Sequence, residues 1–212
     1  TARMYTESYF QASQLSPDDD LLRFLSSRPN PPSPILMNPS LESIFKRRSI
    51  RKYTDQPVEP EKIDLLLKAA MAAPSAMNCK PWEFVVVTDP LKLAQFRKRL
   101  IFGNRNAPAA IIVCGNPSKS VNPAARLFWV QDCSNATENI LIAAVEMGLG
   151  TVWVGVHPIP DFVRIVREIT AMPRHVTPLG LIYVGYPAEE KPARTQYDEH
   201  RVHWQKFGNH KR

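Results

Sequence analysis

The sequence predicts one sheet of buried strands with helices packed on both of its faces. Four apolar runs are continuous and do not alternate with polar residues, and helical segments separate them along the chain. Strands of this kind bury both faces, so a helical layer is expected above and below the sheet. The predicted strands are EFVVVT (83–88), AAIIVCG (109–115), TVWVGV (151–156) and LGLIYVGY (179–186).

Five helices are predicted after residue 37 from apolar spacing and from prolines near helix starts. In the first, NPSLESIFKRR, Asn38 is the expected cap and Pro39 the first helical residue, and Leu41, Ile44 and Phe45 form the apolar stripe. The other predicted segments are 59–73, with an apolar face of Ile63, Leu66, Leu67, Ala70 and Met71, then 91–101, then 125–148 with Ala136, Ile140, Ala143, Ala144 and Met147, and 159–170.

Residues 1–37 are expected to form a Pro/Ser-rich extension in front of one domain, residues 38–212. The stretch SSRPNPPSPI has four prolines in ten residues, which favours extended or irregular chain. The preceding SPDDDLLRFL is compatible with a short helix that has acidic residues at its N-terminus. With 212 residues, the chain is long enough for one domain with a substantial core.

Composition narrows the class of protein. No apolar run approaches the roughly 18 to 20 residues of a membrane helix, and the N-terminal residues show no basic region followed by an apolar one. Cys79, Cys114 and Cys133 have no CxxC or metal-ligand spacing, so reduced thiols of an intracellular, cytoplasmic protein are expected. His200 and His203 have helical spacing, but no cysteine and carboxylate set completes a tetrahedral site nearby, and no metal is predicted.

The formal net charge of +7 predicts either a basic surface or a site for an anion, such as nucleic acid or a phosphate-bearing cofactor. The cluster KRRSIRK (46–52) is informative, because Arg47, Arg48 and Arg51 lie within five residues around Ser49. Guanidinium groups can pair with two phosphate oxygens at once. The same residues are also compatible with a solvated helix end, where cations are mildly favoured.

A second candidate is the loop APSAMNCKPWEF (73–84), which joins a predicted helix to a predicted strand. Its Ser75 and Asn78 can bind sugar hydroxyls or the edge of a heterocycle, and Pro74 and Pro81 restrict the backbone around them. The alternative is a capped turn in which Trp82 simply fills the core.

The segment GLGTVWVG (148–155) resembles a dinucleotide-binding fingerprint, but its glycines follow a predicted helix and open a predicted strand. A fingerprint requires the opposite order. Gly148 and Gly150 are therefore expected to end the helix.

Together, these segments resemble the nitroreductase family of FMN-dependent enzymes. The matching elements, in the family's order and spacing, are RRSIRKYTDQPV, AAPSAMNCKPWEFVVV, GLGTVWVG and PLGLIYVGYPAEEKPARTQYDEHRVHW, so the resemblance covers about residues 38–207. It implies an α+β fold, a nitroreductase-like three-layer α/β/α sandwich whose central, mostly antiparallel sheet is extended by the partner chain's C-terminal arm. It also implies a homodimer with two FMN sites at the subunit interface, each built from both chains.

The resemblance implies a role for each candidate residue. Arg47 is expected to bind the FMN phosphate, Arg48 and Ser49 the phosphate and ribityl chain, and Arg51 the pyrimidine edge, where a cation can stabilise the reduced flavin. Because the chemistry takes place at N5 of FMN, no side-chain acid, base or nucleophile is required. The other implied contacts are Pro74, Ser75, Ala76 and Asn78 from the partner chain, the backbone of Trp153, Val154 and Gly155 at the ring, and Lys191 and Arg194 at the phosphate.

The implied activity is reduction of nitroaromatics, quinones or similar electron-poor acceptors by NAD(P)H, in a ping-pong cycle on one site. Two alternatives stay open: the same fold with reductive dehalogenation or flavin cleavage as its task, and a basic module that binds nucleic acid or another anion. The implied enzyme needs neither nucleic acid nor a membrane as a partner. One departure from the family's pattern is Lys80, where Gln is usual; Lys80 either points to solvent or alters the flavin potential or the substrate preference.

Overall fold

A four-stranded antiparallel sheet forms the centre of the computed structural model, which describes residues 38–210. Its strands are β1, Trp82–Val87; β2, Ala109–Gly115; β3, Gly150–Gly155; and β4, Thr177–Gly185. They lie in the order β1-β2-β4-β3, so β2 and β4 are the central strands. The extension predicted at 1–37, with its short helix, lies outside the described residues, as do residues 211 and 212 of the predicted domain.

Five α-helices surround the sheet in this part of the chain: α1, Pro39–Lys46; α2, Pro60–Met71; α3, Pro90–Arg99; α4, Ala124–Glu146; and α5, Pro160–Thr170. Four of them begin on a proline, whose fixed φ suits the first helical turn and whose missing N–H is not needed there. Every helix and strand predicted within residues 38–210 is present, with ends that differ by at most two residues.

Both faces of the sheet are buried, as the continuous apolar strands predicted. Along β2, Ala110 and Ile112 face one way and Ile111 and Val113 the other, and all four are inaccessible to solvent. Helices α3 and α5 cover the first face, and helices α2 and α4 cover the second. The fold is therefore a three-layer α/β/α sandwich, and the predicted fold class is confirmed.

Helix α4 is the longest element of the described chain and occupies a central position. Its 23 residues span about 34 Å, and Cys133, Ala136, Ile140 and Ala144 pack into the core of the second face. It contacts α1, α2 and all four strands. Residues that α4 holds are therefore fixed relative to the whole sheet.

Two positions of the predicted apolar stripes are exposed. On α1, Ile44 is 47% exposed whereas Ser43 is buried, because α1 packs against α4 through the side that carries this small residue. On α2, Met71 is exposed because it lies about 100° around the helix axis from the buried Ala70, away from the buried stripe. The buried residues of α2 are Ile63, Leu66 and Ala70.

The two glycines after α4 have different roles. Gly148 has a φ of +68° and ends α4, as predicted. Gly150 instead opens β3, and a Cβ at this position would lie 2.8 Å from the side chain of Ile50. The prediction that Gly150 ends the helix is therefore wrong: this glycine lets the chain at residues 49–50 approach β3 closely.

The three cysteines are buried and free. Burial raises the pKa of the Cys114 and Cys133 thiols to about 12, so the reactive thiolate is scarce at neutral pH.

None of the helices within residues 38–210 is long and apolar enough to cross a membrane.

The C-terminal arm is irregular after β4. Between residues 187 and 210 it has one 3-10 turn, Glu199–Arg201, and an isolated bridge that pairs Pro187 with Tyr53. A second turn is closed where the Trp204 N–H donates to Asn209 O at 2.7 Å. Contact of this arm with a partner chain stays a prediction.

Substitution of Ile112 tests the buried centre of the sheet. Ile112→Ala is expected to lower the free energy of unfolding by about 3 kcal/mol, because it leaves a cavity among fully buried side chains. Leu91→Ala, at an exposed position of α3, should change it by less than about 0.5 kcal/mol. Urea unfolding followed by circular dichroism measures both, and equal effects would contradict the central position of β2.

Candidate functional site

The basic cluster leaves the end of α1 and runs beside the edge strand β3. Ser49 forms a parallel bridge with Thr151 of β3, and the Ile50 N–H donates to Thr151 O at 2.9 Å. Arg47 and Arg48 were predicted to be the last residues of the first helix, and they lie just beyond it because α1 ends at Lys46. The side chains of the cluster are thereby placed at the start of β3.

The chain that follows β4 turns back over the basic cluster. The Ala188 N–H donates to Lys52 O at 3.0 Å, and the Arg194 N–H donates to Phe45 O at 3.1 Å. These main-chain hydrogen bonds place residues 187–194 against the residues that leave α1. The two predicted basic groups, far apart in sequence, therefore lie side by side.

Three predicted residues meet at this contact. Lys191 Nζ donates to Ser49 O at 2.6 Å, and Arg48 Nη1 donates to Pro192 O. A cavity of about 530 Å³ opens beside them, which is within the usual size range of small-molecule sites. Its wall includes three cations and the turn into β3: Lys46, Arg48, Lys191 and residues 148–151.

The remaining predicted cations have other contacts. Arg47 turns toward α4, where its Nε lies 3.3 Å from Glu138 Oε1. Arg51 is exposed, and its Nη1 donates to Ser49 O at 3.3 Å. Arg194 is exposed at the far end of the contact. Ion pairs near the surface contribute little free energy, so an anion could recruit Arg47 at small cost.

Glu189 is a functional candidate that sequence reasoning missed. Its Oε1 accepts hydrogen bonds from the Arg51 N–H (2.5 Å), the Lys52 N–H (3.3 Å) and Lys191 Nζ (3.0 Å). The Arg51 N–H and the Lys191 ammonium hold the pKa of this carboxyl below its usual value, because both stabilise the charged form. In the sequence, the only signal for Glu189 was that it lies in the segment PLGLIYVGYPAEEKPARTQYDEHRVHW, which resembles the family.

The predicted loop between α2 and β1 holds an unusual backbone conformation. Residues Ala76–Asn78 form a 3-10 turn, and Met77, Asn78 and Lys80 have φ values of 50°, 53° and 49°. Non-glycine residues rarely adopt this left-handed region, and such strain persists only where the surroundings impose it. Asn78 and Lys80 are exposed, so Lys80 points to solvent in the single chain.

Asp132 of α4 anchors this loop. Its Oδ1 accepts a hydrogen bond from the Ala76 N–H at 2.9 Å, and within the loop Ser75 Oγ accepts one from the Lys80 N–H at 3.0 Å. Asp132 is buried, and its Oδ2 has no hydrogen-bond partner among the described residues. Such a group is unusual in native proteins. Sequence reasoning missed Asp132, although an acidic residue inside an apolar helix was a usable signal.

Trp82 fixes the far end of the loop. It is buried and is the first residue of β1, and the preceding Pro81 O accepts a hydrogen bond from the Asn116 N–H at 2.6 Å. The loop is therefore held on α4 at one end and on the sheet at the other.

The end of β3 presents backbone to the surface. Val154 is buried, whereas Trp153 is partly exposed. The Trp153 indole lies directly against Gly180, because a Cβ at residue 180 would be only 2.0 Å from the indole Nε1. Gly155 is exposed, and a Cβ there would have no atom within 4 Å. Trp153 and Gly155, the first and last residues of the predicted backbone contact, are therefore both accessible to solvent.

Within residues 38–210, no group of three or more His, Cys, Asp or Glu residues could hold a metal ion.

Comparison with known proteins gives consistent matches. The Nitroreductase family model matches residues 44–109 and 101–186. A protein of Methanothermobacter thermautotrophicus described as a "Putative NADH dehydrogenase/NAD(P)H nitroreductase" is 46% identical over 169 residues, 79% of this chain and 87% of that protein. A crystal structure with the same description, from Parabacteroides distasonis, is 44% identical with a TM-score of 0.75, over 80% of this chain and 99% of that one. An FMN-dependent nitroreductase structure from Clostridium difficile is 36% identical with a TM-score of 0.69, over 78% and 98%.

Asp132→Ala is expected to release the loop while the sheet stays folded. A hydrogen bond to a charged group contributes about 1.5 to 3 kcal/mol, so amide exchange in a peptide containing Ala76 should become about 10 to 100 times faster. Hydrogen–deuterium exchange with mass spectrometry measures this rate. Glu138→Ala, which removes a half-exposed carboxylate from the same helix, is the control. Unchanged exchange in the Asp132 variant would contradict its anchoring role.

Proposed function

We propose a class of electron acceptors for this chain, which belongs to the nitroreductase family and is an FMN- and NAD(P)H-dependent oxidoreductase. It reduces nitroaromatics, quinones or similar electron-poor compounds. The electron donor and the acceptor use one site in turn, which gives a ping-pong cycle. The observation that carries the proposal is the convergence of Arg48 and Lys191, from opposite ends of the described chain, on one cavity beside β3.

The donors at this cavity fit the phosphate group of FMN. A phosphate dianion is bound best by several cations and N–H donors that are already in place. Arg48 and Lys191 now donate to two backbone carbonyls, those of Pro192 and Ser49. A charged phosphate oxygen is a stronger acceptor than a carbonyl. Arg48 and Lys191 can therefore give up their backbone carbonyls and donate to phosphate oxygens instead.

The proposed phosphate and ribityl contacts combine both basic segments. Arg48 and Lys191 line the cavity, and Ser49 lies beside it, where its carbonyl accepts a hydrogen bond from Lys191. These three residues bind the phosphate and ribityl groups directly. Arg47 leaves Glu138 to reach the phosphate, and the exposed Arg194 closes over it from the C-terminal side.

The proposed ring contacts lie further along β3 and on the loop. FMN, when bound, supplies the hydride chemistry at N5, and the protein binds and orients it. Arg51 is exposed beside Ser49, where its charge can stabilise a negative charge on the reduced ring. The other proposed ring contacts are the backbone of Trp153, Val154 and Gly155, and Pro74, Ser75, Ala76 and Asn78 of the loop.

We assign the loop to the site of the partner subunit in a homodimer with two FMN sites. Asp132, which holds the loop, and Glu138, which pairs with Arg47, are six residues apart on α4 and therefore about 120° apart around its axis. The loop and the basic cluster of one chain thus lie on different sides of α4. Large apolar side chains near both are 44% to 75% exposed, and a second copy would bury them: Ile44, Met77, Leu127 and Phe128.

Two alternatives fit these observations less well. Reductive dehalogenation or flavin cleavage usually needs a lid over the substrate, and the connection from β2 to α4 has only residues 116–123, with a 3-10 turn at Pro117–Lys119. Nucleic acid is bound by a basic stripe or patch on an exposed face, whereas the cations here surround a cavity and already bind the C-terminal segment.

Spectroscopy and steady-state kinetics test the oxidoreductase proposal. The purified protein should show flavin absorption and release about one FMN per chain on heating, because each subunit of a symmetric dimer contributes equally to two sites. With NADH or NADPH varied against a quinone, initial-velocity plots should be parallel. Intersecting plots would contradict the ping-pong cycle, and a protein that neither contains nor binds FMN would contradict the whole proposal.

Lys191→Gln tests the phosphate contact. It should weaken FMN binding by about 10- to 100-fold, because a charge-assisted hydrogen bond contributes about 1.5 to 3 kcal/mol. Riboflavin, which lacks the phosphate, should bind the variant and the wild type equally. Lys98→Gln removes the same charge from an exposed position of α3 and is the control. Titrations followed by flavin fluorescence give the affinities, and equal losses in both variants would indicate a general charge effect.

A further inference from the structure

An acidic side chain lies among the cations of the proposed phosphate site. Glu189 lines the same cavity as Arg48 and Lys191, and only 20% of its side chain is exposed. Its neighbour Glu190 also lines the cavity but is exposed to solvent. The two carboxylates therefore share a wall and differ in how closely they approach the cations.

The donors around Glu189 form an anion site that the chain fills with its own carboxylate. The consecutive N–H groups of Arg51 and Lys52 and the Lys191 ammonium converge on a single oxygen, Oε1. Successive backbone N–H groups combined with a cation are a common arrangement for binding phosphate. Glu189 thus makes the contacts that an oxygen of an external anion would make.

Lys191 is the group that Glu189 and a phosphate have to share. Its Nζ contacts both Glu189 Oε1, at 3.0 Å, and Ser49 O, at 2.6 Å. A phosphate oxygen that binds the same ammonium would lie within about 6 Å of the carboxylate. Like charges at this distance, partly shielded from water, repel each other.

Resting on the function proposed above, we infer that Glu189 is an internal counter-anion of the phosphate site. It holds Lys191 when no phosphate is bound and opposes the phosphate of FMN when one binds. Glu189 thereby determines how strongly the site prefers FMN over riboflavin, which has the same ring and ribityl chain without the charge.

The test compares FMN and riboflavin binding to the full chain freed of flavin. Glu189→Gln keeps the size of the side chain and an acceptor for the backbone N–H groups but removes the charge. FMN should then bind about 5- to 20-fold more tightly, with riboflavin unchanged, because one negative charge near the phosphate is lost. The gain should shrink in high salt. Flavin fluorescence titrations supply each dissociation constant.

Two further variants make the result specific. Glu189→Ala should raise the FMN-to-riboflavin preference in the same direction, and this ratio is insensitive to a general loss of stability because both ligands need the same fold. Glu190→Gln removes a charge from the same wall and should change the ratio by less than about twofold, because water screens an exposed carboxylate.

The outcomes separate the inference from the proposed function. A preference for FMN that stays constant or falls in both Glu189 variants would overturn the inference and make Glu189 a support that helps Lys191 to bind phosphate. An equal rise in Glu190→Gln would also overturn it, because the effect would then be general. If the wild-type chain binds neither flavin, the proposed function fails and the inference with it.

Discussion

Burial of both faces of the sheet is the constraint on which the rest of the structure depends. The strands β2 and β4 are apolar on both sides, so each face needs its own helical layer. Helix α4 is part of that cover, and it also holds the loop through the hydrogen bond from the Ala76 N–H to Asp132. Because close-packed cores do not deform gradually, the candidate site is built on a rigid support.

The electrostatics of the cavity follow from the meeting of two distant segments. Main-chain hydrogen bonds such as that from Ala188 to Lys52 bring the cations of both segments together. Cations this close repel one another, and Glu189 offsets part of the repulsion. The same contacts stabilise the charged form of this carboxyl and lower its pKa. The proposed phosphate site is therefore a balance of charges and not simply a basic patch.

Much of the fold could be predicted from local pattern. Continuous apolar runs and prolines at helix starts predicted the five α-helices and four strands of residues 38–210 to within two residues. Local pattern also marked the arginine cluster and the loop with Ser75 and Asn78 as candidates, but it was equally compatible with a solvated helix end and a capped turn. Their part in binding a cofactor stays a prediction. Which side of α1 is buried was not readable, since Ile44 fits an apolar stripe that the packing on α4 leaves exposed.

The sequence by itself determined the layers and the chemical types available at the site, because strand burial and helix starts depend on neighbours along the chain. Only the tertiary structure decided which of those groups meet. Gly150 matters because Ile50 approaches it, Asp132 because the Ala76 N–H points at it, and Glu189 because the Arg51 N–H, 138 residues away, donates to it. Contacts between positions so far apart leave no local periodicity, so their partners are defined only once the chain has packed.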